Sequence, residues 1–242
     1  MKSPVFIDAK STQLIAHRGL SALERENTIP AFIAAANRPY FGIETDVHVT
    51  SDGRFVCIHN DDTEFVSGDK ISVEQTSYDT LRSLMLKDMD GSRGRPDLRI
   101  PSMAEYIKIC RDYGKQAILE LKNRIATEKI GEIVSEIASL GYLSGTTFIA
   151  FDLQNLIDIK RIIPTQPAQF LVSTYSPELH ATLKKHRLDL DIHYKALTPE
   201  NIAALHADGI KINCWTVDAP DIAASLVSLG VDQITSTRLC AR

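Results

Sequence analysis

Short apolar runs of strand length recur along this chain, separated by longer stretches whose apolar positions fall three or four apart. The runs are Gln13–Ala16, Phe41–Val47, Gln116–Leu121, Thr147–Ala150, Ala168–Val172, Leu190–His193, Ile210–Trp215 and Val231–Thr235. The stretches between them carry helix start signals. Thr28 precedes Pro30 and apolar Phe32 and Ile33, and Ser102 with Glu105 makes a capping box. Ser176-Pro177 and Thr198-Pro199 each pair an N-cap residue with proline at the first helical position. Further helices are predicted over Thr127–Leu140, Leu153–Ile163 and Pro220–Leu229, and Gly141, Gly209 and Gly230 stand where a helix must stop before the next strand. Strands alternating with helices imply a parallel sheet with helical crossovers, and eight of them suggest an α/β fold closed as a (β/α)8 TIM barrel. An open doubly wound sheet is the alternative, but no glycine-rich phosphate loop follows the first run.

The second run continues into two alternating segments, GIETDVHVTSDGRFVCIHND (Gly42–Asp61), joined at Asp52-Gly53. A two-residue loop there pairs Val49 with Val56, Val47 with Ile58 and Asp46 with His59. One face of the hairpin is then apolar. The other carries Glu44, Asp46, His48, Cys57, His59 and Asp61, with His48 farthest toward the turn as a solvated residue. Asn60 to about Arg99 lacks periodicity apart from Tyr78–Leu84 and is rich in Asp, Gly and Ser. It reads as an active-site insertion or mobile lid within a single domain spanning residues 1–242. After the last run only Ser236–Arg242 remain, too few for an eighth helix. Met1–Ser11, with Val5, Phe6 and Ile7, or a second copy of the chain in a homo-oligomer, is expected to cover the gap.

Composition narrows the partners. The chain has 242 residues, of which 44% are hydrophobic, so a large core is available. A net charge of −4 without a long basic run argues against nucleic acid or an anionic membrane surface. No apolar run approaches the ~20 residues of a membrane span, and MKSPVFIDAKST lacks a signal-peptide core. Cys57, Cys110, Cys214 and Cys240 are scattered without CxxC spacing. They read as thiols of a reducing cytosol, neither a disulfide framework nor a zinc site, and the expected location is cytoplasmic.

Candidate chemistry collects at the C-terminal ends of the strands, where a barrel of this kind builds its site. His17-Arg18 ends the first strand, Glu44 and Asp46 the second, and Glu120 with Lys122 the third. Trp215, the only tryptophan, ends the seventh and is weighed as a substrate contact against a place in the core. Buried carboxylates cost too much unless paired or bound to metal. Glu44, Asp46 and Glu120 offer oxygen ligands alone, which suits one divalent cation, Mg²⁺ or Ca²⁺, better than Zn²⁺. Arg18 and Lys122 supply fixed positive charge for a phosphate, and His17 and His59 make an acid–base pair. That combination is what phosphodiester hydrolysis needs. His180, His186, His193 and His206 show no ligand spacing, while Asn27 and Thr28 are expected to organise the first loop and helix cap.

Over nearly its full length the chain resembles the glycerophosphodiester phosphodiesterases. The matching elements are IAHRG (Ile15–Gly19), ENT (Glu26–Thr28), ETDVHVTSDGRFVCIH (Glu44–His59), IPSMAEY (Ile100–Tyr106), LELK (Leu119–Lys122) and WTVD (Trp215–Asp218). The resemblance implies a (β/α)8 barrel that hydrolyses small-molecule glycerophosphodiesters to sn-glycerol 3-phosphate and an alcohol. It implies a divalent metal on Glu44, Asp46 and Glu120, His17 and His59 as acid and base, and phosphate contacts from Arg18 and Lys122. Four positions depart from the family pattern. The histidine's usual Asp neighbour is replaced in His59-Asn60-Asp61, Ser-Phe is Ala150-Phe151, the Asn after WTV is Asp218, and GIITD is QITST (Gln233–Thr237). Two other activities compete: phospholipase D-like cleavage of lysophospholipids, with Phe65, Val66 and Met85 widening the mouth, and a catalytically silent barrel that binds phosphodiesters.

Overall fold

The predicted runs do become strands, because each alternates residues that fill the inside of a closed sheet with residues that pack under helices. The computed structural model describes residues 3–242; Met1 and Lys2 lie outside them. The chain begins with β1 (Val5–Ile7) and then builds β2 (Gln13–Ala16), β3 (Gly42–Val49) and β4 (Phe55–Cys57). There follow β5 (Gln116–Leu121), β6 (Thr146–Ala150), β7 (Ala168–Val172), β8 (Asp189–His193), β9 (Ile212–Trp215), β10 (Gln233–Ser236) and β11 (Leu239–Ala241). Strands β2, β3 and β5 through β10 pair in parallel, and β10 returns to β2, so eight strands close a barrel.

Seven helices cross between barrel strands: α1 (Ile29–Ala36), α4 (Met103–Asp112), α5 (Thr127–Ser139), α6 (Leu153–Ile162), α7 (Pro177–His186), α8 (Pro199–Ala207) and α9 (Pro220–Ser228). Two short helices, α2 (Glu64–Ser67) and α3 (Tyr78–Ser83), belong to the segment after β4. Thr28, Ser102, Ser176 and Thr198 cap their helices as their sequence positions predict. Inside the barrel, Gln169 Nε2 donates to Gln233 Oε1 at 2.8 Å and Gln233 Nε2 to Gln13 Oε1 at 3.0 Å. Two residues farther along those strands begins an aliphatic layer of Ile15, Ile118, Ile149 and Leu171, with Trp215 packed on it. The layer closes the barrel from below, which leaves the C-terminal rim as the open end.

Two expectations change. First, the hairpin register is offset by one residue: Val47 pairs with Cys57 and Val49 with Phe55, and the Ile58 N–H donates to the Asp46 carbonyl at 3.1 Å. The loop has three residues, Ser51-Asp52-Gly53, with Gly53 at φ +79° and the Thr50 N–H donating to the Arg54 carbonyl. A type I turn followed by a left-handed residue adds one position to the loop and turns the returning strand over. Phe55 and Cys57 therefore join the barrel core with Val47, and Val56 and Ile58 face the segment that follows.

Second, that segment is packed rather than a loose cover. Val66, Val73, Leu81, Leu86, Leu98 and Ile100 form a buried cluster with Val56 and Ile58. Leu81→Ala should cost about 2–5 kcal/mol in a denaturant titration, the range for emptying a sealed aliphatic site. The open end, by contrast, is covered as expected: β1 (Val5–Ile7) pairs in parallel with β11, and this two-stranded ribbon takes the place of an eighth helix, burying Ile7, Leu239 and Cys240. No helix among the described residues is long and apolar enough to cross a membrane.

Candidate active site

The loop after β2 turns sharply as soon as it leaves His17. Arg18 and Gly19 both have positive φ, +56° and +76°, and the Gly19 N–H donates to the Glu44 carbonyl at 3.2 Å. A Cβ on Gly19 would stand 2.7 Å from the backbone carbon of Ala31. The glycine thus lets the loop lie against α1 while His17 and Arg18 reach the rim. Gly19→Ala is expected to cost about 1–3 kcal/mol and lower Tm by several degrees in a thermal melt, with a loss of activity as His17 and Arg18 shift.

Glu44 and Asp46 project inward from β3 and Glu120 from β5, and one oxygen of each lies within 4.8 Å of the others. All three are buried. Glu44 Oε2 accepts the Arg18 backbone N–H at 2.8 Å and lies 3.9 Å from His17 Nε2. Asp46 Oδ2 accepts from Asn27 Nδ2 at 2.8 Å, while Asn27 Oδ1 accepts from Thr45 Oγ1 at 2.7 Å, which fixes the amide's orientation. Arg18 Nε stands 3.7 Å from Asp46 Oδ2, and Lys122 Nζ lies 2.8 Å from Glu120 Oε1 and 3.6 Å from Asp46 Oδ1.

These neighbours push the three acids apart. Burial, then Asp46 and Glu120, raise the Glu44 carboxyl well above the usual range. Burial, then Asp46, push Glu120 up to about 7. Burial also acts against ionised Asp46, but Lys122, Arg18 and His59 outweigh it and hold that carboxyl at about 2. Burial and then the Arg18 charge lower His17 to about 3. Burial lowers His59 as well, opposed by Asp46 and by the bond its Nδ1–H donates to Asn60 Oδ1 at 2.7 Å.

Six of the eight residues singled out in the sequence line one cavity of about 180 Å³: His17, Arg18, Glu44, His59, Glu120 and Trp215. The other two are adjacent. Asp46 lies behind Glu44 and Glu120, and Lys122 lines a neighbouring hollow that shares Glu120 and Phe151 with the cavity. A wider groove of about 610 Å³ beside Tyr175 and Thr198 contains no acid besides Glu200 and no basic residue, so it offers no comparable chemistry. Among the described residues, six buried polar side-chain atoms lack a partner, and four belong to the site: Arg18 Nε, Asp46 Oδ1, Asp191 Oδ1 and Trp215 Nε1. Leaving such atoms unpaired costs roughly 1–3 kcal/mol each, so their concentration here marks a place that a polar ligand completes.

Asp191 escaped the sequence reading although it lies between Leu190 and Ile192 in a buried strand, the same signal that exposes Glu120. Burial, then Glu120, raise its carboxyl well above the usual range. His193, given no role, meets Trp215 edge to face at 5.3 Å. His48 is buried, not solvated, with Nδ1 3.0 Å from Glu74 Oε1. Asp218 does not cap α9, whose N-cap is Ala219. Its carboxylate accepts from Ser236 Oγ at 2.9 Å and from Thr237 Oγ1 at 2.8 Å, so two departures from the family pattern meet as acceptor and donor.

Residues 17–239 match the Glycerophosphoryl diester phosphodiesterase family. The chain is similar to a glycerophosphodiester phosphodiesterase of Caldanaerobacter subterraneus subsp. tengcongensis, 27% identical over 226 residues covering 92% of this chain and 93% of that one. A glycerophosphodiester phosphodiesterase of Bacillus altitudinis is 26% identical, with 92% and 93% covered. Its fold matches the solved glycerophosphodiester phosphodiesterase of Parabacteroides distasonis with a TM-score of 0.80 at 26% identity, over 94% of this chain and 93% of that one. An Oleispira antarctica phosphodiesterase, solved in complex with the product sn-glycerol-3-phosphate, superposes with a TM-score of 0.84 at 24% identity over 96% of each chain. The chain belongs to the glycerophosphoryl diester phosphodiesterase family, whose members hydrolyse glycerophosphodiesters.

Proposed function

We propose that this enzyme hydrolyses small-molecule glycerophosphodiesters to sn-glycerol 3-phosphate and an alcohol, with one divalent cation and the pair His17 and His59. The observation that carries the reading is the buried trio Glu44, Asp46 and Glu120 facing the same cavity region as both histidines and two cations. The trio fits a hard cation: the donors are all oxygen, Asp46 Oδ1 has no hydrogen-bond partner, and the acids oppose one another's ionisation. Mg²⁺ or Ca²⁺ held there would neutralise phosphate charge and favour the attacking nucleophile.

The chain's own residues supply the remaining steps. Arg18 and Lys122 bind and orient the phosphate, and Trp215 with Phe151 walls the cavity beside it. His17, kept neutral by burial and Arg18, takes the proton of the attacking water. His59, whose charged form Asp46 and Asn60 favour, delivers a proton to the departing alcohol oxygen as its bond to phosphorus breaks. The basis for this division shifts with the hairpin: Ile58, not His59, lies opposite Asp46, and His59 reaches the site from the bend beyond β4.

None of the residues lining the cavity comes from 60–99, and Val66 is buried in the insertion's own core. That arrangement supports short polar alcohols over lysophospholipids as leaving groups and one unit spanning 1–242 in which the insertion braces the rim. Four free, buried cysteines fit a cytoplasmic enzyme. A coupled assay of glycerol 3-phosphate release from choline, ethanolamine and glycerol diesters, beside a lysophospholipid, tests the reading. Release from the first three is expected; binding without release would mean a silent barrel, and release from the lysophospholipid alone would reverse the preference.

A further inference from the structure

We infer that His48 is a positioning residue that sets His59 through a tether running from the insertion, an inference that rests on the acid role proposed for His59. The His48 ring is fully buried. Its Nδ1 lies 3.0 Å from Glu74 Oε1 in the insertion, and its Nε2 stands 3.4 Å from the His59 carbonyl oxygen. Both neighbours are acceptors: a ring protonated on Nε2 donates to the His59 carbonyl, and only an imidazolium would donate to both. Glu74 Oε1 also accepts from Asn123 Nδ2 at 3.0 Å, and the same amide donates to Asp61 Oδ1 at 3.0 Å. Asn123 follows Lys122 and has φ +52°. The Val73 N–H closes the loop by donating to the Asp61 carbonyl at 2.9 Å.

Three parts of the chain thus meet at His48 and Glu74: the bend carrying His59, the middle of the insertion, and the exit of β5. The His59 side chain has one hydrogen bond of its own, to exposed Asn60, which does not fix its backbone. His48 does, from beneath. The insertion then contributes to catalysis without lining the cavity, by keeping the imidazole at the distance that proton delivery requires.

Misplacing a catalytic group by about 1 Å costs on the order of 10²-fold in rate. His48→Ala should therefore lower kcat on an alkyl glycerophosphodiester by roughly 10–100-fold with KM nearly unchanged. On a nitrophenyl glycerophosphodiester, whose leaving group needs little protonation, the loss should stay within about 3-fold. His48→Gln, able to donate to the His59 carbonyl, should recover most of the rate. Glu74→Ala removes the other end of the tether from a side chain 43% exposed, and should show the same substrate dependence in weaker form if His48→Ala fails to fold. An equal loss on both substrates, or no loss, would overturn the inference. If His59→Ala itself shows no leaving-group dependence, the acid assignment fails and not the tether alone.

Discussion

Chelation should lower turnover at pH 7.5 by at least about 10³-fold, with recovery on adding Mg²⁺ or Ca²⁺, because the cation is assigned several kcal/mol of transition-state stabilisation. The same treatment should lower Tm, since an ion bound only by the folded protein stabilises it by about 2.7 kcal/mol at one hundred times its dissociation constant. The pH dependence of that effect has a definite sign. Glu120 titrates near 7 in the folded protein against an ordinary 4.5, so between those values the folded chain holds a proton that the unfolded chain has released. This contribution is complete below about 4.5 and lost as pH rises through about 7, so the cation-free protein weakens across that window. The gain in Tm on adding cation should accordingly be small at pH 5 and largest above 7. Full activity in chelator, or a gain that is greatest in acid, would contradict the metal assignment.

His17→Ala and His59→Ala should each reduce hydrolysis of an alkyl glycerophosphodiester by roughly 10²–10⁴-fold, the range for losing a general acid or base. They should separate on a nitrophenyl diester, where the departing oxygen needs no proton. There His59→Ala recovers most of the wild-type rate and His17→Ala does not. The expectation follows from the electrostatics: burial and Arg18 hold His17 at about 3, neutral throughout the working range and able to accept a proton. His59, though also lowered by burial, feels the Asp46 charge and donates to the Asn60 amide oxygen, both of which favour its charged form. The opposite pattern would exchange the two roles.

Much of this architecture was legible because local signals agreed with one another. The eight barrel strands begin and end within two residues of their apolar runs, and Thr28, Ser102, Ser176 and Thr198 cap helices that the barrel then uses. Glu44, Asp46 and Glu120 stood out because an acid in a strand buried on both faces has to be explained. Asp191 met the same test, but no family motif surrounds it.

The hairpin register failed on a single loop residue. Asp52-Gly53 suits a two-residue turn, yet Thr50 Oγ1 donates to Asp52 Oδ1 at 2.6 Å and accepts the Arg54 N–H at 2.9 Å, which closes a longer loop. One residue of slip turned Val56 and Ile58 onto the face that carries His48, and the insertion that packs on them buries His48 against Glu74. The insertion's core was invisible for a different reason. Val66, Val73, Leu81, Leu86 and Leu98 share a cluster but no period, and irregular spacing leaves no trace in a pattern-based reading.

In the proposed reaction water attacks phosphorus and the glycerol end keeps the phosphate. Hydrolysis of a glycerophosphodiester in water enriched in oxygen-18, with both products followed by mass spectrometry, tests it most directly. The wild-type enzyme should yield sn-glycerol 3-phosphate carrying one heavy oxygen and an equal amount of unlabelled alcohol, and Glu44→Gln should yield neither. Free glycerol with a phosphorylated alcohol, or label in the alcohol, would contradict the account.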